Sequence, residues 1–181
     1  MSKKTIIGTI VVLVVLVLGG IIVWRTFAPG QPKEIRIGVL TPLTGGEANY
    51  GRSTKRGVDL AIEELNNRMK EKGIVFSAVY EDDQMSPKVA TSAIQKLISV
   101  DKVPVIIGPF GSSVVLAVAP IAERNKTVII SASATADAIA DAGDYIFRVV
   151  PPNRRQAQDV ANLVWNKLKA KRASILYLNN D

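Results

Sequence analysis

The sequence predicts an α/β fold built on a doubly wound, mostly parallel sheet, and three observations carry this prediction. From Glu34 onward, short runs rich in β-branched residues alternate with longer segments whose apolar residues recur every three or four positions. The short runs are almost entirely apolar, as strands covered on both faces are. A segment long enough for a helix separates most successive runs, which is what a crossover between parallel strands requires.

These patterns also predict the individual elements. The runs predicted to be strands are Ile35–Leu40, Ile74–Glu81, Val103–Ile107, Thr127–Ser131, Tyr145–Val149 and Ala173–Leu178. The segments predicted to be helices are Arg52–Lys72, Pro87–Val100, Ser112–Arg124 and Arg154–Lys171. Gly73 is expected to end the first of these helices in the left-handed conformation that glycine adopts readily. The last helix is expected to direct a stripe of small and apolar residues inward, namely Ala157, Val160, Ala161, Val164 and Leu168.

The composition limits the possible functions. The chain has 181 residues, the size of one ordinary domain, and it contains no cysteine and no histidine. Their absence removes disulfides, Ser-His triads and the commonest zinc ligands. The formal net charge is +7, but the residues from Glu34 onward carry 19 basic and 16 acidic groups. Because there is no basic stripe and aromatic residues are few, the sequence predicts no nucleic-acid binding.

The N-terminal segment has the composition of a membrane span. Lys3 and Lys4 precede an apolar run over residues 6–23, which as a helix would extend about 27 Å, close to the hydrocarbon core of a bilayer at about 30 Å. The sequence therefore predicts that residues 1–27 form an uncleaved anchor, with a cleaved secretory signal as the alternative. Both assignments keep the lysines inside and export the rest of the chain. Residues 28–33 are expected to form a linker.

The loop after the third predicted strand has features of an anion site. Ligands of open parallel sheets bind outside the carboxyl ends of the strands. Here Gly108-Pro109-Phe110-Gly111-Ser112-Ser113 leads from a strand into a helix. The N-terminus of that helix offers free N–H groups to a carboxylate, and Ser112 adds a hydroxyl. The alternative is that Ser112 or Ser113 only caps the helix. The loop contains neither the Walker motif nor the GxGxxG motif.

Two further loops are expected at the same edge of the sheet. The loop after Ser131, Ala132-Ser133-Ala134-Thr135-Ala136-Asp137, combines small residues with hydroxyl groups, so a ligand could approach its backbone closely. The alternative role of Thr135 is to cap the following helix. The long loop after Leu40 ends at Tyr50, whose ring could cover a bound side chain. The alternative is a solvent loop in which Tyr50 packs against its neighbours.

A cluster of three carboxylates follows the second predicted strand, at Glu81-Asp82-Asp83. It could bind a cation or serve as the phosphoacceptor of a response regulator. A phosphoacceptor cluster needs a further aspartate after the third strand, where this chain has Gly108. The cluster is therefore predicted to be a solvated strand end that caps the next helix, and no metal site is predicted.

In order and spacing, these segments resemble the type I periplasmic solute-binding proteins of the leucine/isoleucine/valine-binding family. The matching segments are Ile-Gly-Val-Leu-Thr-Pro-Leu-Thr-Gly from Ile37, Tyr50-Gly51, Gly57-Val58, Ala61-Ile62, Asp82-Asp83 with Pro87, the turn over 107–113 and the loop over 131–135. The resemblance extends from about Ile35 to Asp181. It implies that residues 34–150 form the first lobe of a two-lobe protein and that residues 151–181 begin a second lobe, so the chain is expected to be truncated.

The resemblance also implies roles for individual residues. Ser112 would hold the α-carboxylate of an amino acid through its hydroxyl and backbone N–H. Ser133 and Thr135 would share the carboxylate and the ammonium, and Tyr50 would border the ligand side chain. The predicted ligand-binding set is completed by Ala134 and Ser113.

The function implied is binding without catalysis or a cofactor. The protein would deliver a branched-chain or related amino acid to the permease subunits of an ABC transporter, anchored by residues 6–23 and facing the periplasm or the cell exterior. The alternative is a membrane-anchored ligand-sensing receptor domain of the same fold. An enzyme is not predicted, because the sequence has no phosphate-binding fingerprint and no histidine.

Overall fold

A computed structural model describes residues 32–176 of the chain and contains one five-stranded sheet. Its strands are β1 Lys33–Thr41, β2 Ile74–Asp82, β3 Val105–Ile107, β4 Val128–Ser131 and β5 Ile146–Arg148. They lie in the order β2-β1-β3-β4-β5, and the pairs β1–β3, β3–β4 and β4–β5 are parallel. Strand β1 thus lies inside the sheet and the later strands extend it in both directions, which is the doubly wound arrangement that the sequence predicts.

Four α-helices connect or follow these strands: α1 Ala48–Met69, α2 Pro87–Ser99, α3 Ser112–Asn125 and α4 Asn153–Asn162. Helix α1 continues into a 3-10 turn over Lys70–Lys72, and Gly73 ends it with a φ of 62°, as predicted. It begins four residues before the predicted start at Arg52, so that Tyr50 lies in the first turn of a helix and not in a loop. A second 3-10 turn, Asp137–Asp141, lies between β4 and β5.

The hydrophobic core lies between one face of the sheet and helices α2 and α3. The apolar residues that recur with helical spacing along α2, namely Ala90, Ala93, Ile94 and Leu97, are buried there. It packs with Ile106 and Ile129 of the central strands and with the valines of α3. Because side chains alternate along a strand, every second residue of β3 and β4 points into this core.

The opposite face of the sheet is less well covered. Ile107 and Ile130, which alternate with the core residues, are half-buried, and Phe147 of β5 is 51% exposed. Helix α1 packs along β2 at the edge of the sheet. Of the apolar residues that recur with helical spacing along α1, Val58 is buried, Ala61 is exposed, and Ile62, Leu65 and Met69 are half-buried. Within residues 32–176, the sheet is thus packed more closely on one face than on the other.

The C-terminal part of the chain departs from the prediction. Helix α4 ends at Asn162 and is followed by a π-helical turn over Leu163–Lys167, so helical structure stops before the predicted end at Lys171. The stripe predicted to face inward is not buried: Val164 is half-buried, and the exposed members are Ala157, Val160, Ala161 and Leu168. An amphipathic pattern predicts an apolar helix face but not the surface that covers it.

Two predicted elements reach beyond the described residues. The last predicted strand, Ala173–Leu178, is not formed over residues 173–176, where a strand would need a neighbour to accept its hydrogen bonds, and its final two residues lie outside the described range. The predicted anchor over residues 1–27 also lies outside it. Between residues 32 and 176, no helix is both long enough and apolar enough to span a bilayer.

Candidate ligand-binding site

Loops that follow β3 and β4 are joined by side-chain hydrogen bonds at the carboxyl edge of the sheet. The hydroxyl of Ser131 donates to the carbonyl of Pro109 at 2.7 Å, and the hydroxyl of Ser133 donates to the carbonyl of Phe110 at 2.7 Å. The N–H of Ala136 donates to the Ser112 hydroxyl oxygen at 3.2 Å. Residues of the two loops that are predicted to share a ligand are therefore held next to each other.

The first turn of α1 adds an aromatic pair to this edge. The Tyr50 ring stacks on the Phe110 ring, with 4.6 Å between the ring centroids and 27° between their planes. Tyr50 remains 50% exposed, so one part of its surface is available to a ligand. Phe110 was not predicted as a site residue, although its place between two glycines directly after a strand could have indicated it.

Helix α3 starts at this edge without a side-chain cap. Its N-cap residue is Gly111, and among the described residues no side chain caps it, so neither Ser112 nor Ser113 has the capping role considered as an alternative. The first N–H groups of an α-helix have no partner within the helix, and they carry the positive end of its dipole. Ser112 is half-buried and accepts one N–H, and its own hydroxyl hydrogen has no acceptor within residues 32–176, so it is available to a ligand. Ser113 is exposed.

The remaining predicted residues lie on the loop after β4. The Ser133 hydroxyl hydrogen is already donated to a carbonyl, so its oxygen is suited to accept from an ammonium. Thr135 is half-buried, its carbonyl accepts the N–H of Asn153 at 2.8 Å, and it does not cap the 3-10 turn that follows. Ala134 is 1% exposed as a whole residue and packs in the core, and its N–H donates to the Ser131 hydroxyl oxygen at 3.2 Å, so the predicted contact of Ala134 with a ligand has no exposed surface to use.

A small cavity between the loops brings in residues that the sequence did not indicate. Its lining includes Thr41, Thr54, Phe110 and Ser133. The Thr41 hydroxyl is buried and has no hydrogen-bond partner within the described part of the chain. A buried hydroxyl usually has a partner, so Thr41 has an unused donor and acceptor beside the site. Its position as the first residue after the predicted strand Ile35–Leu40 could have indicated it.

Gly108 allows the loop after β3 to approach β1. Its φ is +101°, a conformation that favours glycine, and a Cβ added to it would lie 2.0 Å from the Leu40 carbonyl oxygen. Its N–H donates to the carbonyl of Ile130 at 2.9 Å. No other residue type fits at this position. Through these two contacts, Gly108 brings the loop after β3 close to the ends of β1 and β4.

The carboxylate cluster after β2 is not the solvated helix cap that the sequence predicted. Ser86 caps α2 by accepting the N–H of Val89, and Glu81 pairs with Lys96. Asp83 is fully buried, and Asp82 accepts backbone hydrogen bonds that compensate its partial burial. Among the described residues, no group of three acidic, histidine or cysteine side chains could hold a metal ion.

The two aspartates have opposite pKa shifts. Burial raises the pKa of Asp83, and the neighbouring Asp82 charge adds to this effect, while the N–H of Met85 opposes it. Partial burial alone would also raise the pKa of Asp82. However, Asp82 accepts hydrogen bonds from the Thr44 hydroxyl and from the N–H groups of Gln84, Leu43 and Thr44. Together these bonds outweigh the effect of burial and lower the pKa of Asp82.

A doubly wound lobe with an uncapped helix start and hydroxyl-bearing loops at one sheet edge has the architecture of a solute-binding lobe. Comparison with known proteins agrees: the chain belongs to the periplasmic binding protein family, whose model matches residues 34–181. Membership in this family indicates an extracytoplasmic protein, and the relatives described below are substrate-binding proteins and not enzymes, in agreement with the prediction.

Three relatives illustrate the similarity. A Leu/Ile/Val-binding protein of Rhizobium johnstonii, BraC3, is 32% identical over 83% of this chain and 41% of its own length. The isoleucine complex of the branched-chain amino acid transporter substrate-binding protein LivJ from Streptococcus pneumoniae has a TM-score of 0.70 and 30% identity, covering 77% of this chain and 40% of LivJ. An ABC transporter solute-binding protein of Rhodopseudomonas palustris, in complex with 3,4-dihydroxybenzoic acid, has a TM-score of 0.61 and 28% identity. The match covers 66% of this chain and 32% of that protein. The chain thus spans about two fifths of the length of the curated relatives it matches.

Proposed function

We propose that this chain forms one wall of a binding site for the head group of a branched-chain or related amino acid. The observation that carries the proposal is the uncapped start of α3, where the Ser112 hydroxyl hydrogen is free, beside the loop that carries Ser133. An α-carboxylate accepts from the first N–H groups of α3 and from Ser112. The ammonium donates to Ser133 and to carbonyl oxygens of the loop after β4. Tyr50 borders the ligand side chain.

Neutral groups can hold both charges of a zwitterion in this way. Hydrogen bonds to an ionised carboxylate or ammonium are about twice as strong as bonds between neutral groups. The positive end of a helix dipole adds a favourable term without burying a formal counter-charge. The electrostatics therefore suit an amino acid better than a singly charged ion of either sign.

An aromatic carboxylate is a second candidate, and the stacked Tyr50–Phe110 pair favours it. The solved relatives include proteins crystallised with hydroxybenzoic acids, so the same fold accepts such ligands elsewhere. An aromatic acid would use the N-terminus of α3 in the same manner, with its ring against Tyr50 in place of an aliphatic side chain. It has no ammonium, so Ser133 would contribute little.

Isothermal titration calorimetry on the purified protein separates the candidates. The probes are L-leucine, L-isoleucine, L-valine, 4-hydroxybenzoate, and two leucine analogues: 4-methylpentanoate, which lacks the ammonium, and 3-methylbutylamine, which lacks the carboxylate. The amino acid proposal requires that leucine, isoleucine or valine binds more tightly than both analogues. Binding of 4-hydroxybenzoate without binding of the amino acids would select the second candidate. If no probe gives a measurable heat of binding, both candidates are wrong.

Family membership supports a cellular role in transport. Delivery of the ligand to ABC permease subunits, with residues 6–23 as the membrane attachment, is the arrangement proposed. Fractionation of cells that express the intact protein tests the attachment: it should remain with membranes after a salt wash and be released by detergent. Recovery in the released periplasmic fraction, with an N-terminus beyond residue 27, would instead identify a cleaved signal.

A further inference from the structure

The chain leaves β2 through a tight turn whose conformation is unusual for its sequence. The N–H of Ser86 donates to the carbonyl of Asp83 at 2.7 Å. The two residues between them, Gln84 and Met85, have φ values of 50° and 56°. Consecutive left-handed residues define a type I′ turn, in which glycine or asparagine usually occupies these positions. A left-handed conformation costs a residue with a Cβ about 1 kcal/mol, so other interactions must hold this turn.

Asp82 and Asp83 supply those interactions. An oxygen of the Asp82 carboxylate accepts the N–H of Gln84 at 3.0 Å, and an oxygen of the Asp83 carboxylate accepts the N–H of Met85 at 2.8 Å. The N–H of Asp83 donates to the carbonyl of Thr41 at 3.3 Å and so ties the turn to the end of β1. Each left-handed residue is thus fixed by the carboxylate two positions before it.

The same Asp82 carboxylate also holds the loop after β1. It accepts the N–H of Leu43 at 2.8 Å, the N–H of Thr44 at 3.3 Å and the Thr44 hydroxyl. This loop leads directly into the first turn of α1, where Tyr50 lies. At Gly51 the helix presses against the loop, because a Cβ there would be 1.8 Å from the Pro42 carbonyl oxygen. The position of the loop therefore determines where the Tyr50 ring can be.

Met85 connects the turn to the other side of the site. Its side chain is half-buried against the hydrophobic core and lies next to Gly111, the N-cap residue of α3. A Cβ added to Gly111 would be 2.5 Å from the Met85 sulfur. Met85 is therefore in contact with the backbone from which the first N–H groups of α3 begin.

We propose that Asp82 and Asp83 are positioning residues of the ligand site. Through one turn they fix the loop that leads to Tyr50 and, by way of Met85, the Gly111–Ser112 segment. The identity of the ligand rests on the proposed function. To that function this inference adds the residues that set the distance between the Tyr50 ring and the N-terminus of α3. The two aspartates themselves do not touch the ligand.

Substitutions of Asp82 test the first connection. Asp82→Ala removes both acceptor oxygens that the Asp82 side chain supplies, whereas Asp82→Asn keeps an amide oxygen for the backbone N–H groups and places an amide nitrogen near the Thr44 hydroxyl, which can accept from it. The matched control is Glu123→Ala, because Glu123 accepts the N–H of Tyr145 at 2.6 Å at the opposite edge of the sheet. Calorimetry with L-leucine should show affinity about tenfold weaker in Asp82→Ala, a change of about 1.4 kcal/mol.

The other variants decide what that loss means. Asp82→Asn and Glu123→Ala should stay within about twofold of the wild-type affinity. A purely structural role of Asp82 would lower the melting temperature and the fraction of active protein without changing the Kd of the folded fraction, and this result would overturn the proposal. If Asp82→Ala does not fold, Thr44→Val removes one contact of Asp82 at an exposed position, and unchanged affinity in that variant would also overturn it.

A double-mutant cycle tests the contact between Met85 and Gly111. Gly111→Ala alone forces the methionine away and should weaken L-leucine binding, while the same substitution in a Met85→Ala background meets no obstacle and should have a smaller effect. The difference between the two effects measures the coupling between the residues. Additive effects on the Kd would show that Met85 does not transmit the position of the turn.

Hydrogen exchange distinguishes failure of this proposal from failure of the proposed function. Without any ligand, Asp82→Ala should increase amide exchange in residues 43–51 and 109–115, while Glu123→Ala should leave both segments as in the wild type. If the wild-type protein binds none of the amino acids, the proposed function is wrong and exchange alone decides the positioning role. If it binds L-leucine but exchange in both segments is unchanged in Asp82→Ala, only the positioning role is wrong.

Discussion

At the scale of single residues, the candidate site consists of hydroxyl and backbone groups whose remaining hydrogen-bonding capacity can be counted. Ser112 has a hydrogen left to donate, whereas Ser133 has already donated its own and can only accept. This difference assigns the carboxylate to the side of α3 and the ammonium to the loop after β4. Both hydroxyls are placed by bonds to the neighbouring loop, so each is pre-oriented before a ligand arrives.

The first prediction concerns Ser112. Ser112→Ala removes a donor to a bound carboxylate, and the loss of L-leucine affinity should be about 1–3 kcal/mol because the charged group is left short of a partner. Thr135→Ala should show a loss in the same range if the Thr135 hydroxyl also contacts the ligand. Calorimetry measures both, with Ser99→Ala at the exposed end of α2 as the control. Unchanged affinity in both Ser112→Ala and Thr135→Ala would remove the site assignment.

The second prediction concerns the buried Asp83 and the pH dependence of stability. Its pKa in the folded protein is raised above the ordinary value of 3.8. A carboxyl group with a raised folded pKa stabilises the protein below the unfolded pKa, and this contribution is lost as the pH rises through the folded value. Asp83→Asn does not titrate and keeps an oxygen for the Met85 N–H. The variant should therefore be more stable than the wild type at pH 7.

Urea unfolding at a series of pH values measures this effect. The advantage of Asp83→Asn should grow as the pH rises from below 3.8 through the raised pKa and then stay constant. Asp59→Asn is a suitable contrast, because hydrogen bonds from Lys55 and Tyr80 lower the pKa of Asp59, which reverses the sign of its contribution. A pH-independent difference between Asp83→Asn and the wild type would show that Asp83 does not titrate in the range expected.

At the scale of elements, helix α1 shows how a glycine can be essential at one turn and replaceable at another. Gly51, in the first turn, lies against the backbone of the loop after β1, and a Cβ there would be 1.8 Å from the Pro42 carbonyl oxygen. Gly57, almost two turns later, has no atom within 4 Å of the corresponding Cβ position. Both residues belong to the same helix, so they differ in packing and not in secondary structure.

The third prediction follows from this pair. Gly57→Ala should stabilise the protein by about 0.5–1 kcal/mol, because alanine loses less conformational freedom than glycine within a helix. Gly51→Ala should destabilise it by about 3 kcal/mol, because two backbone segments must move apart. Chemical denaturation monitored by circular dichroism gives both values. Equal effects of the two substitutions would mean that α1 does not approach the Pro42 backbone as closely as described.

At the scale of the whole molecule, stability is concentrated on one side of the sheet. Helices α2 and α3 and the central strands share the buried core, while the far face of β3 and β4 is half-buried and α4 has no buried residue. The exposed apolar residues of the C-terminal part include Val160, Leu163, Trp165 and Leu168. These positions contribute little to the folding of this chain, although their pattern is that of a helix face suited to packing.

The fourth prediction compares two leucines on the basis of this asymmetry. Leu97→Ala should cost about 2–5 kcal/mol, because Leu97 is fully buried in the core. Leu168→Ala should change the free energy of unfolding by no more than about 0.5 kcal/mol, because Leu168 is 66% exposed. Urea denaturation of the 181-residue chain measures both. A large loss in Leu168→Ala would show that Leu168 packs against another surface.

Most of the fold was predictable because its determinants are local. The alternation of apolar runs and helical stripes predicted all five observed strands and all four helices between Lys33 and Asn162, with most ends displaced by up to four residues, while α4 ends nine residues before the predicted Lys171. The errors arose where a segment depends on a distant neighbour. Val160 and Leu168 repeat with helical spacing but face no partner, and residues 173–176 have the composition of a strand without pairing as one.

The candidate site was predictable in part. Ser112, Ser133 and Tyr50 lie on segments that follow strands whose carboxyl ends meet, so topology brings these segments to one edge. Phe110 and Thr41 were missed because an aromatic stack and an unpaired buried hydroxyl are properties of the assembled site. The assignment of each predicted residue to a ligand group stays a prediction that the calorimetry will decide.

The sequence by itself determined the order of strands and helices, the doubly wound topology and the family, because hydrophobic periodicity and loop spacing depend on residues that are close together in sequence. Only the tertiary structure decided the role of Asp82 and Asp83. In the sequence they are two acidic residues at the end of a strand. In the fold they hold a left-handed turn between the Tyr50 loop and the start of α3, because burial and hydrogen bonding depend on residues about 40 positions away.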